Sequence, residues 1–464
     1  MDTLSYELLV DIFKFVKHKS QFLSNKLLCH ISIFFNHQFI IESIKLNNDT
    51  KLITADAGHK GLNYKHTSFI YDAISVPKNN KIKYLRFSPT FNDYIDDLND
   101  DIVYLNLNHM NKTITKLPSK LKKLLIGDYF NAEIKEFPKY LNYLVIGNRC
   151  KNNLPEWPMF LTHLTIPYDY PFKIEKWPMF LSHLVLGRNY NGVFETWPTH
   201  LTHLVILDKC LARNKQLPDS LKFLKIIHLP FRYECRVKIV IPKQLSYLQY
   251  NTGSHICPDN LSTIEKISFE DSVFDGSLLF ASQALIHTSI KSLNLNVSRD
   301  VISGDVLHFM NNLNDDCFPS LLHLKIRIQT GNLTWLPKNL IHLTFINEKY
   351  FDEIPEITCL HQSKLIFLNM TNIYENMVLP SSLTHFRAKE ITFCRYTNYP
   401  PSLIFLDVKY LNELPINKLK YLCFQFSVDY ERTDLQFPKS LIYFKGPKRF
   451  YDKVPVTVKT VVII

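Results

Sequence analysis

Apolar residues recur along most of this chain in a fixed phase. Pro118, Pro138, Pro158, Pro178, Pro198 and Pro218 are twenty residues apart, and each opens the pattern Pro-x-x-Leu-x-x-Leu-x-apolar. Three consecutive copies read Leu161, Leu164, Ile166, then Leu181, Leu184, Leu186, then Leu201, Leu204, Ile206. Within Leu164-Thr165-Ile166 the apolar residues alternate at period two, which predicts a short strand with Leu164 and Ile166 pointing inward and His163 and Thr165 outward. One such repeat cannot bury its apolar side alone. Stacked copies can, so the pattern predicts coils whose strands pair into a parallel sheet over one continuous core.

The motif persists with looser spacing at Pro242 (Leu245, Leu248), Pro337 (Leu340, Leu343, Phe345) and Pro380 (Leu383, Phe386), and Pro400, Pro438 and Pro455 open further copies. Leu85 with Phe87 and Leu105 with Leu107 are copies without proline upstream. A period near twenty is that of a leucine-rich-repeat-like solenoid, with a parallel β-sheet on the concave face. The array spans residues 81–464, with regular twenty-residue units over about 117–226 and longer ones over about 260–326. Twenty residues leave little room for a return helix, so the convex side of the regular units is expected to be extended or 3₁₀. Helical character is expected at 278–287 and 305–313 in the longer units. Proline cannot donate to a strand ladder and suits the turn before each strand. The residues before it, Phe137, Trp157, Trp177, Trp197, Leu217 and Phe437, are expected to form a second wall of the core.

Residues 1–45 do not fit the repeat. Leu4, Leu8, Leu9, Ile12, Phe13 and Val16 fall at helical spacing, with Ser5 as a candidate N-cap and Glu7 in the first turn. A second apolar stretch follows over 25–39, and 46–80 connects this small all-α module to the array. Two roles stay open for the module: a hydrophobic cap on the solenoid end, or a partner-binding device.

Composition narrows the function. Of 464 residues 46% are hydrophobic and 21% charged, with 33 Phe and 24 Tyr, enough for a core throughout. The net charge of +11 raises an anionic partner, but Lys and Arg are scattered singly or in pairs such as Lys122-Lys123, which argues against nucleic-acid binding. The nine cysteines are far apart with no C-x-x-C pair, as expected of reduced thiols in the cytoplasm. No secretory or membrane-spanning segment is predicted: Glu7, Asp11 and Lys14 interrupt the first apolar stretch, and the one from Leu27 to Ile41 is too short and too polar.

Candidate chemistry concentrates on one outward position, just before the second motif leucine. It reads Lys123, Tyr143, His163, His183, His203, Phe223, then Tyr247, His342, His385 and Tyr443. On strands ~4.8 Å apart such side chains stack as a ladder. Tyr143, His163, His183, His203 and Phe223 are the candidate partner-binding residues, since rigid aromatic groups anchor interfaces; the competing reading is that repeats duplicate and stacked rings help coils pair. His163, His183 and His203 have the chemistry of a three-His metal site but no acidic second shell, and no metal or cofactor is predicted. There is no phosphate-binding loop, nucleophile elbow or H-E-x-x-H, and eleven glycines give little material for a phosphate cradle, so no enzyme activity is expected.

Two resemblances add to this. Leu4-Ser5-Tyr6-Glu7-Leu8-Leu9-Val10-Asp11-Ile12-Phe13 resembles the start of an F-box, Leu-Pro-x-Glu-Leu-Leu-x-x-Ile-Phe, with Ser5 in place of the proline, and Leu28-Cys29 with Phe34-Phe35-Asn36 resembles its later part. The repeats resemble the FNIP repeat, Leu-Pro-x-x-Leu-x-x-Leu-x-Ile followed by Phe-Asn-x-x-Ile; Phe130-Asn131-Ala132-Glu133-Ile134 matches the second half, and Tyr190-Asn191, Phe351-Asp352 and Phe274-Asp275 are looser versions. Such proteins are abundant in giant viruses of amoebae and in social amoebae. The resemblance implies a substrate-recognition adaptor of a Skp1–cullin ubiquitin ligase, acting in host cytoplasm if viral. Leu4, Leu8, Leu9, Ile12 and Phe13 would contact a Skp1-like adaptor, and the concave ladder would hold an unknown target protein. The alternative is a stand-alone repeat scaffold or inhibitor with no ubiquitin link.

Overall fold

The proline that opens each motif closes a turn. In the computed structural model of the chain, the Pro158 carbonyl accepts the Leu161 N–H at 3.1 Å, and Pro118, Pro138, Pro178, Pro218, Pro242, Pro337, Pro380, Pro400 and Pro438 make the same bond to the leucine three residues on. Proline has no N–H to orphan at this position, and its fixed φ starts the turn that delivers the leucine into the core. Leu121, Leu141, Leu161 and Leu181 are accordingly fully buried.

The structure describes residues 71–464 except 74, 78–81, 108–109, 149, 151–153, 169, 188–189, 191–195, 208–215, 228–237, 251–254, 258–262, 271–288, 297–303, 315, 348–353, 375–376, 392–398, 412–413, 415–417, 428–434 and 464. The helical module of 1–45, with Leu4, Leu8, Leu9, Ile12 and Phe13, lies outside the described residues, as do the segment 278–287, Phe274-Asp275 and Phe351-Asp352.

Two compact units divide the chain, Met1–His200 and Leu201–Ile464. In the first, strands β1 (Tyr71–Ala73), β2 (Tyr84–Phe87), β3 (Tyr104–Leu107), β4 (Lys123–Ile126), β5 (Tyr143–Val145), β6 (His163–Thr165) and β7 (His183–Leu186) follow one another. Each pairs in parallel with the next, in sequence order. Among the described residues the pairing includes Tyr71–Ala73, ahead of the residue-81 boundary read from the motif. In the second unit the strands are β8 (His203–Leu207), β9 (Phe223–Ile227), β10 (Lys238–Val240), β11 (Tyr247–Tyr250), β12 (His255–Cys257), β13 (Lys266–Glu270), β14 (Ser292–Asn296), β15 (His323–Ile328), β16 (His342–Asn347), β17 (Phe367–Ile373), β18 (His385–Ile391), β19 (Phe405–Leu411), β20 (Tyr421–Ser427), β21 (Tyr443–Gly446) and β22 (Thr460–Ile463). All but β10 and β12 join one parallel ladder in sequence order, and those two pair with each other. Each unit is thus a parallel β-solenoid.

Register explains the phase of the motif. Leu124, Leu144, Leu164 and Leu184 are successive Cα partners, and Leu324, Leu343, Leu368, Phe386, Leu406, Leu422 and Phe444 are the equivalents in the second unit. All of them are 2% exposed or less. Burying each such side chain stabilises by roughly 1.5–3 kcal/mol, and the gain arises only when neighbouring coils stack. The backbone comes equally close: a Cβ on Gly147 would lie 2.2 Å from the Gly127 carbonyl carbon, so only glycine fits there.

Side-chain oxygens tie coils together where no strand runs. Asn92 Oδ1 accepts the Asn111 N–H at 2.9 Å, Asp96 Oδ1 the Thr115 N–H at 3.0 Å, and Asp100 Oδ1 the Ser119 N–H at 2.8 Å. That last bond holds the Asp100 carboxyl below its ordinary value. In the second unit an inward amide pair does this work. Asn347 Nδ2 donates to the Pro355 and Asn372 carbonyls, and Asn347 Oδ1 accepts the Asn372 N–H at 2.9 Å, with both side chains buried.

The return path is extended over the described part of the regular units, and helix α1 (Gly304–Asn311) stands in the longer region near the expected 305–313. The second wall of the core differs from expectation. Trp157, Trp177, Trp197, Phe137 and Phe437 are only half-buried, and Leu217 alone of that row is buried. A twenty-residue coil has a narrow interior that the leucine and isoleucine rows already fill, and there the buried place is taken by the proline ring at 158, 178 and 198. The larger rings lie against the rim: Phe137 stacks on Trp157 at 6.4 Å, and the Trp177 indole N–H donates to the Thr196 carbonyl at 3.0 Å.

Candidate partner-binding face

Strand alternation places the outward residues of each unit on the open face of its sheet. In the first unit Tyr84, Tyr104, Lys123, Tyr143, His163 and His183 are successive register partners. The Lys123 ammonium lies 5.0 Å from the Tyr143 ring centroid, Tyr143 and His163 are 5.3 Å apart, and His163 stacks on His183 at 4.0 Å. Burial of its long stem lowers the Lys123 pKa to about 8, while the Tyr143 ring face partly offsets that by cation–π attraction.

The second unit continues the same position through His203, Phe223, Tyr247, Lys266, Ser292, His323, His342, Phe367, His385, Phe405, Tyr421 and Tyr443. Phe223 and Tyr247 stack at 4.3 Å and 4°, and Phe367 faces His385 at 4.4 Å. Tyr143, His163 and His183 are therefore in contact along one unit, and His203 with Phe223 along the other at 5.4 Å.

A hydroxyl on the preceding residue fixes the tautomer of His163, His183 and His385. Thr162 Oγ1 donates its single proton to the Asn142 carbonyl at 2.9 Å, so its 2.9 Å contact with His163 Nδ1 needs an N–H on the ring. Ser182 with His183 and Thr384 with His385 repeat the arrangement, and Thr202 lies 2.9 Å from His203 Nδ1. In the neutral ring Nε2 is then an acceptor. Burial lowers the His385 pKa to about 4, and burial followed by the nearby Lys222 charge lowers that of His203. These rings are neutral near pH 7.

Beside the ladder runs a second outward row, which differs between the units. In the first it runs from Asp72 and Arg86 through Asn106 to Leu125, Val145, Thr165 and Val185, so its charges lie on the first two strands only. In the second it includes Lys225, Lys325, Arg387, Asp407 and Lys445, with Arg327 and Lys409 one step further along their strands. A cation every twenty residues or so does not register as a charge run, so this row leaves little trace in the sequence. A stacked row also lies at the turn of the first unit. Tyr140, Phe160 and Phe180 are 56%, 38% and 38% exposed, with Phe160 stacked on each neighbour at 6.1 Å. The signal was present as an aromatic residue two places after Pro138, Pro158 and Pro178.

Among the described residues no group of three or more His, Cys, Asp or Glu is placed to hold a metal ion, and none of their helices is long and apolar enough to cross a membrane. Among the described residues His163, His183, His203 and His385 each have a hydroxyl within hydrogen-bond distance of Nδ1, and no nucleophile–base–oxyanion constellation surrounds them.

No family model matches the chain, and no curated protein matches it. Five chains of solved structure do. One is CroV588, described as a novel circular leucine-rich-repeat protein structure, at 18% identity over 83% of this chain and 76% of that one, with a TM-score of 0.45. Another is YopM from Yersinia enterocolitica WA-314, at 16% identity over 85% of this chain and 84% of that one, with a TM-score of 0.38.

Proposed function

We propose that this chain is a non-enzymatic protein-binding scaffold whose open sheet face, along the ladder, holds a partner protein. The observation that carries it is the in-register row of aromatic and imidazole groups, half-buried for the most part, on strands whose backbone is already paired. Such a row is rigid before binding, so little side-chain entropy is lost when a partner covers it. Tyr143, His163, His183, His203 and Phe223 are the contact residues proposed. A photo-crosslinking side chain at Thr165 or Lys225, on the ladder face, should capture partner protein from expressing cells. The same group at Lys364 or Lys439, exposed at turns, should not; equal capture at both places would count against the face.

The finer reading is a substrate-recognition adaptor of a Skp1–cullin ubiquitin ligase, working in the cytoplasm. It rests on the F-box-like residues Leu4, Leu8, Leu9, Ile12 and Phe13 and on the order of a helical module followed by repeats. Deleting residues 1–40 should abolish co-purification with Skp1 while leaving ladder-face crosslinking intact. Absent or unchanged Skp1 recovery would leave the stand-alone scaffold or inhibitor as the better account.

A further inference from the structure

We propose that the open face of the second unit takes an extended acidic segment of a partner polypeptide, rich in Asp and Glu. This deepens the ladder-face reading and rests on it.

Charge is the first ground. Lys225, Lys266, Lys325, Arg327, Lys409 and Lys445 all stand at outward positions on this face, each half-buried. The acids at the described outward strand positions of the second unit are fewer than the cations: Asp407, which the Arg387 guanidinium Nε holds at 2.8 Å, and Glu270 at the end of β13. The face therefore carries a net positive strip along the ladder, within reach of a bound chain at ordinary ionic strength, where charges act over ~8 Å. The first unit has no such strip: in the equivalent row Arg86 is the register partner of Asp72 on the neighbouring strand, and Asn106, Leu125, Val145, Thr165 and Val185 fill the rest.

Ring geometry is the second ground, and it separates an acidic polypeptide from single-stranded nucleic acid. Aromatic platforms hold bases by offering a free ring face. Here part of the ladder has its ring faces taken by the next rung: Phe223 lies parallel to Tyr247 at 4.3 Å, His203 stacks on Phe223 at 5.4 Å, and His385 on Phe405 at 5.8 Å. Phe405 to Tyr421 and Tyr421 to Tyr443 are tilted, and His323 to His342 is edge-on. At the stacked rungs what stacking leaves uncovered is the ring edge, the electropositive part of the quadrupole. Ring edges and ammonium groups both favour a carboxylate oxygen, and neither offers a base a surface to stack on.

The test uses the purified full chain and three labelled probes: a short Asp/Glu peptide, its Asn/Gln counterpart, and a uridine oligonucleotide of similar length. Fluorescence anisotropy should show the acidic peptide binding about tenfold or more tighter than the other two, and weakening between about 20 and about 200 mM salt. The pair Lys225→Glu with Lys325→Glu should lose about tenfold or more, and the milder Lys225→Gln with Lys325→Gln should lose part of that. Lys364→Glu with Lys439→Glu, both at exposed turns, should change little. An oligonucleotide binding as tightly as the acidic peptide overturns the proposal, as does equal loss in the turn variant. If the neutral peptide binds equally well and Phe405→Ala weakens it, the charge preference is wrong while the ladder face stands. If no probe binds in a ladder-dependent way the proposal fails, and the crosslinking experiment decides the face separately.

Discussion

The two units solve one packing problem with different freedom. In the first, ladder residues follow one another at 19 or 20 positions, from Tyr84 to Tyr104 to Lys123 and on to His183, and strands are three or four residues long. In the second the interval runs from 16, Phe405 to Tyr421, to 31, Ser292 to His323, and β17 to β20 reach seven residues each. Register at the inward leucine is kept throughout. Coil length is therefore absorbed on the return side, as in repeat arrays where only neighbour contacts set stability. The inward and ladder positions answer to stacking. The second outward position is less constrained by stacking, and there the units diverge: charge is confined to the first two strands of one and recurs along the other.

The strongest way to break this comparison is through the device that only the second unit is seen to use. Asn347→Ala would orphan the Pro355 and Asn372 carbonyl partners of Nδ2 and the Asn372 N–H that Oδ1 accepts. Each buried group left unsatisfied costs roughly 1–3 kcal/mol, so a loss of about 3 kcal/mol or more is expected. Hydrogen exchange should show it as lost protection over β15 to β18 with β2 to β7 unchanged; uniform loss across both units would mean they do not unfold separately. The counterpart in the first unit is Gly147→Ala. Its Cβ would meet the Gly127 backbone at 2.2 Å, and the coil must open to admit it. A loss of about 1–3 kcal/mol is expected, confined to β4 to β6.

Those two residues also mark what the sequence could and could not convey. The strands were legible because Leu164 and Ile166 alternate at period two and the same phase returns at Leu184 and Leu186. The ladder was legible for the same reason, since Tyr143, His163 and His183 must share a register once the leucines do. Asn347 was not legible: a polar residue ending a strand reads as solvent-facing unless its partner, Asn372, is known to come alongside, and an interval of 25 positions in an irregular stretch does not reveal that. The half-exposure of Trp157 and Trp177 was missed because residue type suggests burial while coil diameter decides it. The cation strip was missed because it is assembled across strands. The F-box-like residues lie outside the described region, so their part in the function rests on resemblance alone.

The smallest expected effect sharpens the comparison with pH. A group whose pKa is lower folded than unfolded binds fewer protons in the native state, so stability rises with pH between the two values. In the first unit Lys123 goes from an ordinary 10.5 to about 8 through burial. Its contribution is full above about 10.5 and is lost as pH falls through about 8. In the second, burial takes His385 from 6.5 to about 4, giving a contribution that is full above about 6.5 and lost as pH falls through about 4. Both side chains are partly exposed, so solvent screening cuts each effect to on the order of 1 kcal/mol. Urea unfolding followed by hydrogen exchange should therefore show an alkaline slope carried by β3 to β5 and an acid slope carried by β17 to β19. Lys123→Met should flatten the first and leave the second, and His385→Phe, flanked by Phe367 and Phe405, should do the reverse. If either substitution flattens both slopes, the units share one unfolding transition and the contrast between them belongs to surface chemistry only.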